Sequence, residues 1–359
     1  MKICLLVPSV YGMRGDVRGI VNLATALAEQ HEVEILSVKR TKEKPFFPID
    51  PRIKIRWIAD ARPGVRRFLP GGHVRTEVSL WRRLRGLHAD VLITTRPSLG
   101  VQAARHAPKE IVRIAREWGR PAAGAPVKRF YPRLDAVVTV GRAAQEEWTR
   151  LLGDDGPVVH RIVDPLPAGP WPRSRLDNRI IAAGGRLVPA KAYDRLLRAF
   201  AVVADKRPDW RLRLYGAGSE EKRLRALVTE LGLHNHVYFM GTTPDLAGEF
   251  AKASLVAVTS RAETIGMTVV EALGCGVPVV GFEGARGPRE FIEHGVNGLL
   301  VPEGDDEIEA FAGALLGLMD DEQRRRTLAA GARRYADTHE PGAVVEQWVG
   351  LIDALRSDR

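Results

Sequence analysis

The sequence predicts an α/β protein of two domains, each a parallel sheet with helices on both faces. Short β-branched runs alternate with amphipathic helical segments along the whole chain. The runs are near-continuously apolar, as strands buried on both faces must be. A proline cluster, Asp164-Pro165-Leu166-Pro167-Ala168-Gly169-Pro170-Trp171-Pro172, interrupts the alternation near its midpoint. At 359 residues the chain is also too long for one ordinary core.

Taken in order, the strand candidates of the first half are residues 3–7, 32–38, 53–58, 91–95, 111–114 and 136–140. Those of the second are 179–183, 212–215, 237–240, 255–259, 277–281 and 299–301. Helical periodicity fills segments such as 19–30, 193–206, 220–231 and 306–318. Four prolines within nine residues suit neither a helix interior nor a central strand, so residues 164–172 read as a linker. The βα pattern restarts at Arg179. Two Rossmann-like halves follow, residues 1–168 and 173–340, and an amphipathic segment at about 341–357 is expected to pack back on the first.

Hydrophobic residues make up 45% and charged residues 27%, ordinary values that exclude a disordered or fibrous chain. Cys4 lies in the first apolar run and Cys275 in a Gly-Cys-Gly turn, which builds neither a disulfide framework nor a metal-ligand spacing. A reducing cytoplasm is the compartment they predict. The N-terminal apolar run meets Pro8 too soon for a signal segment, and no stretch reaches the ~20 apolar residues of a membrane helix. The net charge of +10 is uneven: residues 1–175 hold 31 Lys and Arg against 17 Asp and Glu, the remainder 23 against 27. The first domain is therefore expected to meet an anionic partner, unless its arginines only coat a solvated face. The basic segment from Arg62 to Arg85, with Phe68, Leu69, Leu80, Trp81 and Leu84 interleaved, is a candidate for peripheral contact with an anionic membrane, or else a loop beside the site. Nucleic acid is not expected, because no recognised module accompanies the basic residues.

Three segments of the second domain carry the chemistry. Gly184-Gly185-Arg186-Leu187-Val188-Pro189-Ala190-Lys191 follows a strand directly. Its glycines admit close backbone approach, and Arg186 and Lys191 can converge on a diphosphate and neutralise charge as it leaves. Leu214-Tyr215-Gly216-Ala217-Gly218-Ser219 is a second strand-to-helix turn. It lacks the third glycine of a dinucleotide fingerprint, since Glu221 stands there, so it reads first as a tight turn that also lines the nucleotide site. The third segment runs from Ser260 through Glu263-Thr264-Ile265-Gly266-Met267-Thr268-Val269-Val270-Glu271 to Val280. Its helix should open near Gly266, offering the amides of Gly266, Met267 and Thr268 to an anion. Glu263 precedes that helix. Glu271 sits among Val269, Val270, Ala272 and Leu273, where a carboxylate is costly without a partner.

Glu263 and Glu271, separated by seven residues and followed by Ala-Leu-Gly-Cys-Gly-Val-Pro-Val-Val, resemble the E-x7-E signature of family 4 glycosyltransferases, which have the GT-B fold. The stretch from Gly185 to Lys191 is similar to their diphosphate-binding segment, and Gly287-Pro288-Arg289-Glu290 with Gly295–Pro302 to their usual continuation. In the first domain Tyr11-Gly12-Met13-Arg14-Gly15-Asp16-Val17-Arg18 more loosely resembles the glycine-rich loop after the first strand, without the Gly-Gly pair. Trp118 stands where many relatives have a histidine, with Glu117 beside it.

The resemblance implies two Rossmann-like domains whose sheets face a central cleft, with an acceptor bound by the first domain and a nucleotide sugar by the second. It implies transfer of a hexose from a UDP-sugar, or a GDP-sugar, to an acceptor hydroxyl with retention of configuration, no metal and no cofactor. Glu263, Arg186, Lys191 and Glu117 are the expected catalytic residues. Gly185, Gly216, Thr264, Ile265, Gly266, Met267, Thr268 and Glu271 are expected at the donor, and Gly12, Gly15 and Arg18 on the acceptor side. Asp154-Asp155, Asp305-Asp306 and Asp320-Asp321 read as caps and turns. The setting implied is cell-envelope polysaccharide or natural-product glycosylation, in the cytoplasm or at the inner face of the membrane. A binding protein that has lost catalysis, suggested by Trp118, and a GT-B-type epimerase are the competing readings.

Overall fold

The computed structural model describes residues 1–63, 72–121, 124–167, 169–263 and 266–358. Thr264, Ile265, Arg66, Arg67, Phe68 and Leu69 therefore lie outside the described residues. The chain divides into two compact units, 1–168 with 339–359 and 169–338.

The first unit runs β1 (Lys2–Val7), α1 (Gly15–Leu27), β2 (Glu32–Arg40), β3 (Lys54–Asp60), α2 (Gly72–Arg85), β4 (Val91–Thr94), α3 (Pro97–His106), β5 (Val112–Glu117), α4 (Ala125–Phe130), β6 (Ala136–Thr139), α5 (Arg142–Leu152) and β7 (Val158–Arg161). Its strands are all parallel, in the order β3-β2-β1-β4-β5-β6-β7. Parallel neighbours require crossover connections, which helices supply except between β2 and β3, joined by residues 41–53.

The second unit runs β8 (Ile180–Gly184), α6 (Tyr193–Lys206), β9 (Arg211–Tyr215), α7 (Glu221–Glu230), β10 (Val237–Gly241), α8 (Leu246–Phe250), β11 (Leu255–Val258), α9 (Met267–Gly274), β12 (Val279–Phe282), α10 (Arg286–Phe291), β13 (Gly298–Val301), α11 (Glu307–Asp320) and α12 (Glu322–Asp337). Its sheet is also parallel, ordered β10-β9-β8-β11-β12-β13. One core joins α6, α11 and the sheet through residues such as Phe200, Phe282 and Phe311. The chain then returns to the first unit as α13 (Pro341–Ser357), which opens with Pro341 at its first position and Glu340 accepting the Ala343 amide, and packs on α1 and β5.

Two differences from the sequence reading have clear causes. β7 is absent from the predicted strands because it is an edge strand with Val158 61% exposed, following Gly156-Pro157, and so carries no buried apolar pattern. β5 continues through Arg116 and Glu117 to its end, where charged residues ordinarily mark a loop. Both side chains are buried there with partners: Arg116 forms an ion pair with Asp164, and Tyr131 Oη donates to Glu117.

In the described part of the segment 62–85, Leu80 and Leu84 of α2 point into the core against Cys4, Leu6 and Leu36, so these two leucines cover the sheet, while Val78 of the same helix is 42% exposed. Arg62 is paired with Asp60 and Glu43.

Candidate active site

In doubly wound sheets, ligands meet the loops at the carboxyl ends of strands where the strand order reverses. In the second unit that point lies between β8 and β11, which pair directly. The loop after β8 holds Gly185, Arg186 and Lys191, and the loop after β11 holds Ser260 and Glu263. The two loops are joined: Arg261 N–H donates to Ala190 O at 2.9 Å and Thr259 Oγ1 to Lys191 O at 3.3 Å.

Across this junction Lys191 Nζ donates to Glu263 Oε1 at 2.5 Å, and Ser260 Oγ donates to Glu263 Oε2 at 2.9 Å. Both carboxylate oxygens are thus occupied and the side chain is only 9% exposed. Gly287 N–H, from the start of α10, donates to the Glu263 carbonyl at 3.0 Å, and a Cβ at Gly287 would lie 2.6 Å from Glu263 Cγ. Burial first, and then the negative charge of Glu263, push the Tyr193 phenol up, so that ring lies within the same electrostatic field. Ser260, Gly287 and Tyr193 are site residues to which the sequence reading assigned no role. Ser260 lies three residues before Glu263, and that spacing was the available signal.

Arg186 is exposed, and its guanidinium makes no hydrogen bond or ion pair among the described residues. Gly216 has φ +143°, and a Cβ there would lie 1.8 Å from Gly185 O. The amide of Gly185 bonds Tyr215 O at 2.9 Å and that of Leu187 bonds Ala217 O at 3.0 Å, so the two glycine turns interlock through backbone alone. Close packing of loop on loop therefore accounts for Gly216.

α9 begins after Gly266, whose φ of +62° falls in the left-handed region. A Cβ there would meet the Phe291 ring at 2.8 Å. The amides of Val269 and Val270 bond Gly266 O, which leaves those of Met267 and Thr268 as the first-turn donors of this helix. Glu271, one turn on, is 5% exposed. The Cys275 thiol is pushed up by burial and then by the Glu271 charge.

In the first unit the order reverses between β1 and β4. The loop after β1 contains Gly12, and Gly15 opens α1. Asp16 of α1 is buried and paired with Arg14 and, at 2.6 Å, with Arg96 from the loop after β4. Arg18 lies with its guanidinium 4.9 Å from the Phe47 ring centroid. A Cβ at Gly12 would touch only Val17, at 3.8 Å.

Glu117 is 3% exposed, and burial raises its carboxyl to about 8. Trp118 is 6% exposed, with its ring 3.9 Å from the Arg116 guanidinium. Neither presents a proton acceptor to solvent at neutral pH. Glu117 is protonated and turned toward Tyr131, which stacks on Trp148 at 5.2 Å. The expectation that Glu117 acts in catalysis therefore meets a buried neutral acid. No group of three or more His, Cys, Asp or Glu side chains suited to a metal occurs among the described residues.

A family model for glycosyl transferases group 1 matches residues 172–335, and one for glycosyltransferase family 4 matches residues 13–165. An exopolysaccharide phosphotransferase of Streptomyces coelicolor is 33% identical across the whole of this chain, which spans 41% of that relative's length. A glycosyltransferase of Haemophilus influenzae is 25% identical, covering 98% of this chain and 99% of its own. The fold is shared with sucrose-phosphate synthase from Thermosynechococcus elongatus, at TM-score 0.81 and 19% identity over all of both chains. It is shared too with Anabaena HepE in complex with UDP-glucose, at TM-score 0.76 and 19% identity over 99% of this chain and 100% of that one. Fold and matched models together define a glycosyltransferase of GT-B architecture. The chain belongs to glycosyltransferase family 4.

Proposed function

We propose that the chain transfers a hexose from a nucleoside-diphosphate sugar, with UDP the favoured nucleotide, to an acceptor hydroxyl with retention of configuration and without a metal ion. The observation that carries this is the meeting of Lys191 with Glu263 where the strand order reverses, beside the uncommitted guanidinium of Arg186. In this reading Arg186, Lys191 and the Met267 and Thr268 amides receive the diphosphate. Glu263 accepts hydrogen bonds from hydroxyls of the transferred sugar, and Glu271 from the ribose.

The acceptor oxygen bonds to the anomeric carbon on the face from which the diphosphate departs. The bond from that carbon to the phosphate oxygen breaks, and the acceptor proton passes to the leaving phosphate. No protein base is required. A buried neutral Glu117 and a Trp118 without a basic nitrogen are compatible with that route, and we assign Glu117 to positioning the end of β5. The two cations stabilise the charge that grows on the β-phosphate, an effect typically worth about 10²–10³ in rate for each donor. The acceptor, held by the first unit, belongs to envelope polysaccharide or natural-product glycosylation. The name of the Streptomyces relative favours the former.

The test is release of UDP from UDP-hexoses, with water alone and with a panel of acceptors. Hydrolysis or transfer that falls by about 10²–10³ in Glu263→Gln and in Lys191→Gln is expected. Unchanged turnover in both variants removes the assignment. A chelator should leave turnover unaltered, and loss of activity with EDTA that Mg²⁺ restores would contradict the metal-free route. Binding of UDP without any hydrolysis or transfer would favour the reading that Trp118 motivates, a binding protein without catalysis. Net interconversion of free UDP-sugar epimers would favour an epimerase.

A further inference from the structure

At the amino end of the first sheet, opposite the loops that follow β1 and β4, a cavity of about 160 Å³ is lined by Lys2 of β1, Glu34 of β2, Arg56 of β3, Arg83 in the last turn of α2 and, just beyond that helix, Gly86 and His88. Glu34 is buried, with its side chain 6% exposed, and draws two guanidiniums together. Arg83 Nη2 donates to Oε1 at 3.1 Å and Arg56 Nε lies 3.5 Å from Oε2. Lys2 forms no ion pair among the described residues. One carboxylate thus holds two guanidiniums from two elements, and Lys2 of a third element lines the same cavity. His88 is steered by its Nδ1 contact with Gly86 O at 3.0 Å.

Two further carboxylates flank Lys2: Asp90 accepts its backbone amide at 2.7 Å, and Glu32, its register partner on β2, is paired with Lys54 at 2.8 Å. Arg85 follows Arg83 on α2, and together with Arg105 it depresses the His106 imidazole, after burial as the main cause. Arg105, Arg129 and Arg133 crowd the Phe130 ring at 5.2–5.3 Å, and none of the three forms an ion pair among the described residues. Helix C-termini favour cations to a degree, which explains arginines in the last turn of α2. It does not explain a cavity between them.

We propose that this cavity is a second anion site that takes a phosphate group, gripped by Arg56, Arg83 and Lys2, with Glu34 holding the two guanidiniums in place. The geometry suits an oxyanion: two planar forks and an ammonium converge from separate elements, and the volume admits a phosphate with water but not a nucleotide. The site lies at the opposite end of β1 from Gly12, on the order of 15 Å away at about 3.3 Å per residue. It is therefore independent of the reacting centre and of the donor reading. A soluble phosphate compound and a lipid headgroup present the same chemistry to it.

Calorimetric titration with inorganic phosphate tests the proposal, at constant ionic strength and in the Arg186→Gln/Lys191→Gln background so that the donor loop contributes nothing. Saturable binding is expected, weakened at least tenfold by Arg56→Gln and by Lys2→Gln. Lys2→Gln leaves both Glu34 pairs intact and so preserves the fold. Equal phosphate binding in the background protein and both variants, or an equal response to added NaCl, overturns the proposal. Co-sedimentation with vesicles containing phosphatidic acid, compared with phosphatidylcholine alone, identifies the source. Sedimentation abolished by the same substitutions assigns a headgroup, and phosphate binding without sedimentation assigns a soluble ligand.

Discussion

Glu263 and Glu117 are both carboxylates near the end of a strand, yet their surroundings differ. Glu263 has an ammonium at 2.5 Å and a hydroxyl at 2.9 Å. Glu117 has a phenol and a dry interior, and burial lifts it from 4.5 to about 8. Because the folded value lies above the unfolded one, the stability linked to its proton is fully present below pH 4.5 and is lost as pH rises through 8. Glu117→Gln mimics the neutral acid and can still accept from Tyr131. Its urea midpoint should rise relative to wild type between pH 5 and pH 8.5, and a difference that stays constant with pH would contradict the buried neutral acid. Glu263 was legible in the sequence because the spacing to Glu271 is rigid and local. The condition of Glu117 was not, because its partner Tyr131 is brought to it only by the turn after α4.

At the scale of elements, the strands that the sequence shows well are those whose apolar runs are unbroken, such as β1, β8 and β11. β5 was cut short because Arg116 and Glu117 look like loop residues until their partners are known. Asp164, read from sequence only as linker, is one of those partners: it lies in the core of the first unit against Arg116, beside Gly19, where a Cβ would come within 2.2 Å of its carboxylate. Burial draws the Arg116 guanidinium down to about 9. Asp164→Ala should leave that charge unpaired and cost about 3–5 kcal/mol in urea unfolding of the first unit; an unchanged midpoint would show that the pair is dispensable. The interlocked turns of the second unit make a comparable demand. Gly216→Ala forces both a strained φ and a collision with Gly185 O, and should destabilise by roughly 3 kcal/mol or more. Full stability in that variant would mean the two turns can separate.

Over the whole molecule, two sheets of the same winding each reverse strand order once, and each reversal carries an acid–base pair between the first and fourth loops. In the first unit the acid, Asp16, follows β1 and the cation, Arg96, follows β4. In the second the cation, Lys191, follows β8 and the acid, Glu263, follows β11. The fold class was readable because burial of parallel strands leaves a strong one-dimensional signal. Which loops touch was not, because strand order is a property of the assembled sheet. Charge followed the same division. The excess of arginine in the first half was countable, whereas its collection around Glu34 and along the edge near Phe130 emerged only when α2, α3 and α4 were packed.

The most direct test of the donor assignment is a calorimetric titration of UDP into the full chain and its Arg186→Gln/Lys191→Gln variant. Saturable binding by the wild type, weakened at least tenfold by removing the two cations, is the result expected if the β8 loop receives the diphosphate. Equal UDP affinity in both proteins, or none in either, would contradict it.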